Sequence, residues 1–360
     1  MTIGIDARMI NSSGIGTYIR GLVVNYPEHI KKETVLFGNQ SELRKYAYKY
    51  KMVSSVSKIY SINEQLKLPS LYKHHKIDLL HVPHYNVPCL YRGNLVVTIH
   101  DLIHLLFPQF LPNPMARIYA ETMFRIAVRK AKIIIADSHN TKNDIIKYFK
   151  LSEKKICVVY PGIDAVFHAQ VSEDNIDAVK LHYNLPKKYI LYVGNIKLSK
   201  NIPRLVQSYR ILKKRMGNEY GLVLTGKNFL AATYWEINKD EDIVVRENVS
   251  FEDLPAVYQG AQLFVFPSLY EGFGLPPLEA MASRVPVISS NAGSLPEILG
   301  DASIRVHPLD IIGSADAMEK LLNSRELSKS YIEKGLAQAV RYTWKDCADK
   351  IQSIYKELLI

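Results

Sequence analysis

Short runs of β-branched and aliphatic residues alternate along the chain with longer stretches in which apolar residues recur every three or four positions. The first such runs are Thr2–Ile5, Thr34–Phe37, Leu79–Val82, Leu95–Ile99, Ile133–Ala136 and Ile156–Tyr160. Apolar runs this short, separated by amphipathic stretches, predict parallel strands joined by crossover helices. The alternation pauses over residues 161–188, a polar and charged interval, and resumes at Tyr189–Val193, Leu222–Thr225, Ile243–Val245, Leu263–Phe266, Val285–Ile288 and Ser303–Val306. The pattern predicts an α/β protein of two doubly wound domains with a cleft between them. Ligands of such sheets bind beyond the carboxyl ends of the strands, so the loops that follow strands are the places to look for chemistry.

A length of 360 residues fits two domains, and 48% hydrophobic with 22% charged residues excludes a disordered or low-complexity chain. The net charge of +11 calls for anionic partners: nucleic acid, phosphorylated small molecules or an acidic membrane face. Cys89, Cys157 and Cys347 are odd in number and far apart, which argues against a disulfide framework and a Cys-x-x-Cys zinc site and points to a reducing, cytoplasmic setting. Neither a leader pattern at Met1 nor an apolar run of membrane-spanning length is present, so a membrane would be met from outside.

The sequence Ser12-Ser13-Gly14-Ile15-Gly16-Thr17 follows the first strand and opens a helical pattern. Gly14 and Gly16 let backbone amides approach a phosphate at a helix start, or simply make a tight turn. The spacing fails as a dinucleotide fingerprint, since the third glycine would fall at Ile19. Gly221 to Asn228 is a near-miss to a phosphate-binding P-loop and lacks its Ser/Thr, while Asp240-Glu241-Asp242 reads as a solvated loop. The histidines form no ligand triad, although His100 and His104 could share a helix face, and no metal is expected.

The segment Glu271-Gly272-Phe273-Gly274-Leu275-Pro276-Pro277-Leu278-Glu279 joins a buried strand to a helix beginning near the two prolines. Its amides at Phe273, Gly274 and Leu275 can bind an anion or sugar hydroxyls. Glu279, placed in the first helical turn, suits either the helix dipole or a ligand, whereas Glu271 needs a partner. Partners are offered after the strand that ends at Gly194, in Asn195, Lys197, Lys200 and Arg204, with Lys200 and Arg204 on one helical face. At the end of a first-domain strand, His100 and Asp101 read as acid/base machinery or as a neutral histidine bonded to a sugar or to backbone.

In this order the segments resemble the retaining nucleotide-sugar glycosyltransferases of sequence family 4, which have the GT-B fold. The resemblance runs from Gly14-Ile15-Gly16 through Thr98-Ile99-His100-Asp101, Gly194, Lys200-Asn201 and Glu271 to Glu279, and on to Ser294-Leu295-Pro296-Glu297. It implies two Rossmann-like domains, residues 1–165 joined by a C-terminal helix 343–360, and residues 166–342 as the nucleotide-sugar domain. Lys200 then resembles the diphosphate-binding lysine that stabilises the leaving group without a metal, and Glu279 resembles the ribose ligand. Glu271 would hold donor-sugar hydroxyls or orient Lys200, with Gly272 in the same substrate-binding turn and the amides of Phe273 to Leu275 at sugar hydroxyls and phosphate. His100 would meet the transferred sugar, and Gly14 and Gly16 would admit the diphosphate. The implied reaction is front-face substitution with retention, in which the leaving phosphate helps deprotonate the acceptor.

Two features depart from the family pattern. An arginine expected shortly before Lys200 is replaced by Asn195, Lys197 and Ser199, with Lys197 or Arg204 as substitutes, and Arg284 stands where the backbone usually turns at glycine. Between residues 42 and 76, Arg44, Lys45, Lys49, Lys51, Lys58, Lys67, Lys73 and Lys76 interleave with Tyr46, Tyr48, Tyr50, Tyr60 and Tyr72, a mix that suits either an anionic membrane surface holding a lipid-linked acceptor or a solvated face. The function expected is hexosyl transfer from a nucleotide diphosphate sugar, UDP-glucose ahead of GDP-mannose, to a growing envelope or exopolysaccharide glycan, without cofactor. The alternatives are a GT-B epimerase, a basic nucleic-acid-binding protein, which the absence of an aromatic RNA motif disfavours, and a catalytically silent nucleotide binder.

Overall fold

A computed structural model describes residues 2–55, 57–227, 237 and 240–359. The chain forms two compact units, Met1–Gly162 with Tyr342–Ile360, and Ile163–Arg341. The divisions fall at 162 and 342, rather than the expected 165 and 343. Gly162 lies so close to the backbone of Trp344 that a Cβ there would meet its nitrogen at 2.0 Å, which ties the exit and the return of the chain together.

The first unit holds a seven-stranded sheet of β1 (Ile3–Asp6), β2 (Thr34–Gly38), β3 (Lys51–Ser54), β4 (Leu79–Val82), β5 (Asn94–Ile99), β6 (Ile133–Ala136) and β7 (Ile156–Val158). Its spatial order is β3-β2-β1-β4-β5-β6-β7, every pair parallel. Because successive side chains of a strand point to opposite faces, Leu36 and Leu79 enter one core while Val35, Phe37 and Leu80 enter the other. The first core is completed by helices Ser13–Asn25 and Trp344–Leu359, the second by helices Ile62–His74 and Pro114–Lys130. Burial on both faces explains why these strands read as continuous apolar runs.

The second unit repeats the scheme with β8 (Tyr189–Val193), β9 (Gly221–Thr225), β10 (Ile243–Arg246), β11 (Leu263–Phe266), β12 (Val287–Ser290) and β13 (Ser303–Val306), in the order β10-β9-β8-β11-β12-β13. Each sheet reverses its winding once, between β1 and β4 in the first unit and between β8 and β11 in the second. Crevices for ligands open at such reversals, beyond the strand carboxyl ends. The strand β3 was absent from the sequence expectation: it is a four-residue edge strand, exposed at both ends and set in the basic run, so it carries no apolar signal. Among the described residues, no helix is long and apolar enough to cross a membrane.

Candidate functional site

At the reversal in the second unit, the loop after β8 meets the loop after β11. Lys200 ends a short 3-10 turn, Leu198–Lys200, and its ammonium pairs with Glu271 while lying 5.4 Å from the centre of the Phe266 ring. Both side chains are largely buried, at 22% and 12% exposure, so the contact is shielded from water and salt far more than a surface pair would be. Glu271 thus has the partner that its position demanded. The next residue, Asn201, is buried in the left-handed conformation and donates from Nδ2 to Pro267 O (3.0 Å) and Pro308 O (2.6 Å). Helix Ile202–Met216 starts only beyond it. Lys200 and Arg204 therefore do not share a helical face as the spacing suggested, because the left-handed break intervenes; Arg204 instead donates to Asn201 Oδ1 at 2.9 Å. Lys197 is exposed, and Asn195 accepts from the Tyr192 hydroxyl through its carbonyl.

Gly194 and Gly274 stand at φ 144° and 105°, a region that L side chains rarely adopt, so glycine is required at both turns. Gly274 caps helix Leu275–Ala282, which has prolines at its second and third positions. Prolines lack amide hydrogens, so the donors this helix start can present are those of Phe273, Gly274 and Leu275. The turn that carries Gly272 and these amides is fixed from behind by buried Ser294, whose amide donates to Glu271 O at 3.1 Å and whose hydroxyl is 2.9 Å from Phe273 O. Glu279 is the fifth residue of the helix, not a first-turn residue, and the dipole explanation for it fails. Its carboxylate accepts from Tyr258 at 2.8 Å; burial pushes its pKa up to about 7, with the Tyr258 bond working against that rise and the charge of Asp164 adding to it. The Glu279 carboxylate is thus cut off from water, with the Tyr258 hydroxyl as a hydrogen-bond donor to it.

In the first unit, helix Ser13–Asn25 begins at Ser13, so Gly14 and Gly16 lie within its first turn and not in a preceding loop. A Cβ on Gly16 would meet Ile10 O at 2.5 Å, a packing reason for that glycine, but one on Gly14 would meet nothing within 4 Å. His100 follows β5, and its carboxylate partner is Asp137 rather than the adjacent Asp101. Nδ1 is 2.7 Å from Asp137 Oδ2, and Nε2 is 3.1 Å from Pro83 O. Asp101 Oδ1 instead accepts from Ile103 N in the turn before the short helix Ile103–Leu106, and because that helix starts at Ile103, His100 and His104 do not share it. The carbonyl of Pro83 can only accept, so Nε2 donates to it, and Nδ1 is left facing Asp137 Oδ2. Burial opposes the imidazolium, but the Asp137 charge and hydrogen bond outweigh it and hold the His100 pKa above its ordinary value. His100 therefore sits between the Pro83 carbonyl and the Asp137 carboxylate, with both ring nitrogens engaged. Two other histidines, His81 and His84, are driven to pKa values of about 3 by burial and stay neutral.

Sequence reasoning missed Asp137, which the same rule of looking after strands would have found behind β6. It also missed the cluster at the reversal of the first sheet, where buried Arg8 bridges Asp6 (2.7 Å) and Glu64 (2.8 Å) while Asn86 donates to Glu64 at 2.6 Å. These partners are up to 80 positions apart and carry no local pattern. The acidic run near residue 241 is not freely solvated, since Asp240 and Asp242 pair with Arg210 and Lys213.

Two α/β units, each built on a parallel sheet that reverses its winding once, are the architecture of the GT-B class of glycosyltransferase folds. The chain is similar over 99% of its length to the Anabaena protein HepE solved in complex with UDP-glucose, all of which is covered, with a TM-score of 0.80 and 14% identity. The family described as glycosyl transferases group 1 matches residues 173–338, and glycosyltransferase family 4 matches residues 13–167. O-antigen chain mannosyltransferase B of Escherichia coli is 30% identical over 292 residues, 79% of this chain and 75% of that protein. The serotype-specific mannosyltransferase WbdA of the same species is 30% identical over 74% of this chain, which spans only 33% of WbdA. The chain belongs to the family 4 glycosyltransferases, and it is a glycosyltransferase.

Proposed function

We propose that the protein transfers a hexosyl residue, with retention and without a metal, from a nucleotide diphosphate sugar to a growing surface glycan whose lipid anchor keeps it at a membrane. The observation that carries this is the second unit's crevice, where a buried lysine, its carboxylate partner and an amide-presenting turn stand together with a desolvated glutamate on the following helix. Lys200 neutralises the charge that grows on the diphosphate as the sugar–phosphate bond breaks, an effect that is strong because the ammonium is shielded from water. Gly194 allows close approach of backbone, and Asn195, Lys197 and Arg204 line the same loop and helix start. The amides from Gly272 to Leu275 serve phosphate and sugar hydroxyls; Glu271 orients Lys200, and Glu279 accepts from the two ribose hydroxyls. On the first unit, Gly14 leaves its helix start open for the diphosphate and Gly16 keeps that start in place. His100, oriented by Asp137, serves the transferred sugar. Asp101 supports it by holding the next turn through Ile103 N rather than by touching substrate.

For the sugar, the sequence favoured glucose, but the curated relatives at 30% identity are named mannosyltransferases, and mannosyl transfer from GDP-mannose is the reading we adopt. The test is a thermal-shift and hydrolysis screen over GDP-mannose, UDP-glucose and related donors, since a ligand that binds only the native state raises its melting temperature. Selective stabilisation and turnover with GDP-mannose are expected. Preference for UDP-glucose would restore the sequence reading, and release of an isomerised free sugar in the absence of acceptor would identify an epimerase instead.

A further inference from the structure

The eight cations of the basic run at residues 42–76 are exposed, but its tyrosines are not all at the surface. Tyr50 and Tyr72 are buried in the core, and Lys49 is paired with Glu28. A surface that adds exposed apolar side chains to such cations lies in the first unit between residues 106 and 118. From Leu106 to Ile118 no residue is buried, although Leu106, Phe107, Phe110, Leu111, Met115 and Ile118 are all large and apolar. Met115 is 72% exposed and Ile118 59%, at the start of helix Pro114–Lys130. Scattered exposed apolar residues are ordinary; here three exposed ones, Leu106, Met115 and Ile118, occur with the half-buried Phe107, Phe110 and Leu111 within thirteen positions, the density that marks an interaction site.

The charge around this patch has one sign. No acidic residue occurs between Asp101 and Glu121, and Arg117 lies between Met115 and Ile118 in exposed sequence. Tyr60, 51% exposed, meets Tyr119 edge to face at 5.7 Å, and Lys58, two positions before Tyr60, is exposed. Asp101 is engaged with Ile103 N and Glu121 in pairing with Arg125. Apolar side chains at the tip, cations and a tyrosine at the edge and a molecule of net charge +11 match the layering of a lipid interface, with acyl chains inside and anionic headgroups outside.

We propose that residues 106–118 are a membrane-docking surface that inserts Leu106, Met115 and Ile118 among the lipids of an anionic bilayer, with Arg117 and Lys58 at the headgroups. A lipid-linked acceptor, part of the function proposed above, makes a membrane the expected occupant, but the surface is testable without any substrate. The full chain is sedimented with vesicles of phosphatidylcholine alone or with 30% phosphatidylglycerol, in roughly 0.05 and 0.5 M salt. The expected result is binding to the anionic vesicles that weakens in high salt, falls at least about tenfold in Met115→Ser with Ile118→Ser, and falls in Arg117→Glu. Melting temperature and donor hydrolysis should be unchanged in these exposed variants, which separates failure of docking from failure of the catalytic reading. Wild-type binding by the double variant, or no binding by the parent protein, overturns the proposal. So does concentration-dependent dimerisation that the double variant abolishes, because the patch would then be covered by a second copy.

Discussion

At the scale of single residues, the candidate site is legible as charge placed where water is scarce. Lys200 is half of a shielded pair, and under the proposed mechanism its replacement by alanine removes the charge that compensates the leaving diphosphate. Lys200→Ala should lower kcat by about 10² to 10³-fold while KM for the donor changes less, measured by steady-state transfer; unchanged turnover would remove Lys200 from the mechanism. Glu279 carries a pH signature. Its pKa rises from 4.5 to about 7 on folding, so between those values the native state holds a proton that the unfolded chain has released. The stabilising contribution is complete below pH 4.5 and is lost as the pH climbs through 7. Glu279→Gln removes this dependence, so its melting temperature relative to wild type should improve from pH 5 to pH 8, while nucleotide affinity falls. An offset that is the same at both pH values would contradict the assigned burial. Arg284 also has a definite expectation. It occupies φ 63° and donates its amide to Met281 O, with Val285 N bonded to Ala280 O, a helix ending in which glycine is the unstrained choice. Arg284→Gly should stabilise the protein by about 1 kcal/mol in urea unfolding, and a destabilisation would mean that the bond to His168 O outweighs the backbone strain.

At the scale of elements, what the sequence revealed and what it hid follow from the range of the forces involved. Strands such as β6 and β11 were readable because burial on both faces leaves only apolar residues, and the turn before helix Leu275–Ala282 was readable because glycine and proline impose local geometry. The clamp around Asn201 was not readable, since its two carbonyl partners lie 66 and 107 positions away. The same holds for Asp137, which reaches His100 only after β5 and β6 pair. Local spacing also misled where a break interrupted periodicity, as between Lys200 and Arg204. The clamp makes its own prediction: Asn201 tolerates the left-handed conformation and supplies two hydrogen bonds that fix the lysine turn to the loops after β11 and β13. Asn201→Asp keeps size and backbone tolerance but sets a carboxylate against two carbonyl oxygens. Donor turnover should fall at least about tenfold, with near-native circular dichroism, and a fully active variant would show that the turn holds itself.

At the scale of the whole molecule, the chain leaves the first unit at Gly162, builds the second without interruption, and returns at Tyr342 to finish the first. The returning helix is not an accessory. Trp344, Cys347, Ala348, Ile351, Ile354 and Tyr355 are buried in one of the two cores of the first unit, and the Tyr355 hydroxyl is bonded to Tyr26 and to buried His81. Burying a large apolar side chain contributes about 1.5–3 kcal/mol, so removing this helix forfeits an amount comparable with the entire net stability of a domain, roughly 5–15 kcal/mol. Its loss would also leave the His81 ring nitrogen that meets Tyr355 without a partner in an apolar setting. The second unit has no such dependence, because its sheet and the helices around it come from one continuous stretch, Ile163–Arg341. Expressed alone, residues 163–341 should fold cooperatively and bind nucleotide diphosphate through Lys200 and Glu279 without catalysing transfer. Residues 1–162 alone should lack a cooperative melt, and a peptide of residues 342–360 should restore it. A folded, stable fragment 1–162 would show that the returning helix only lies on a core already complete without it.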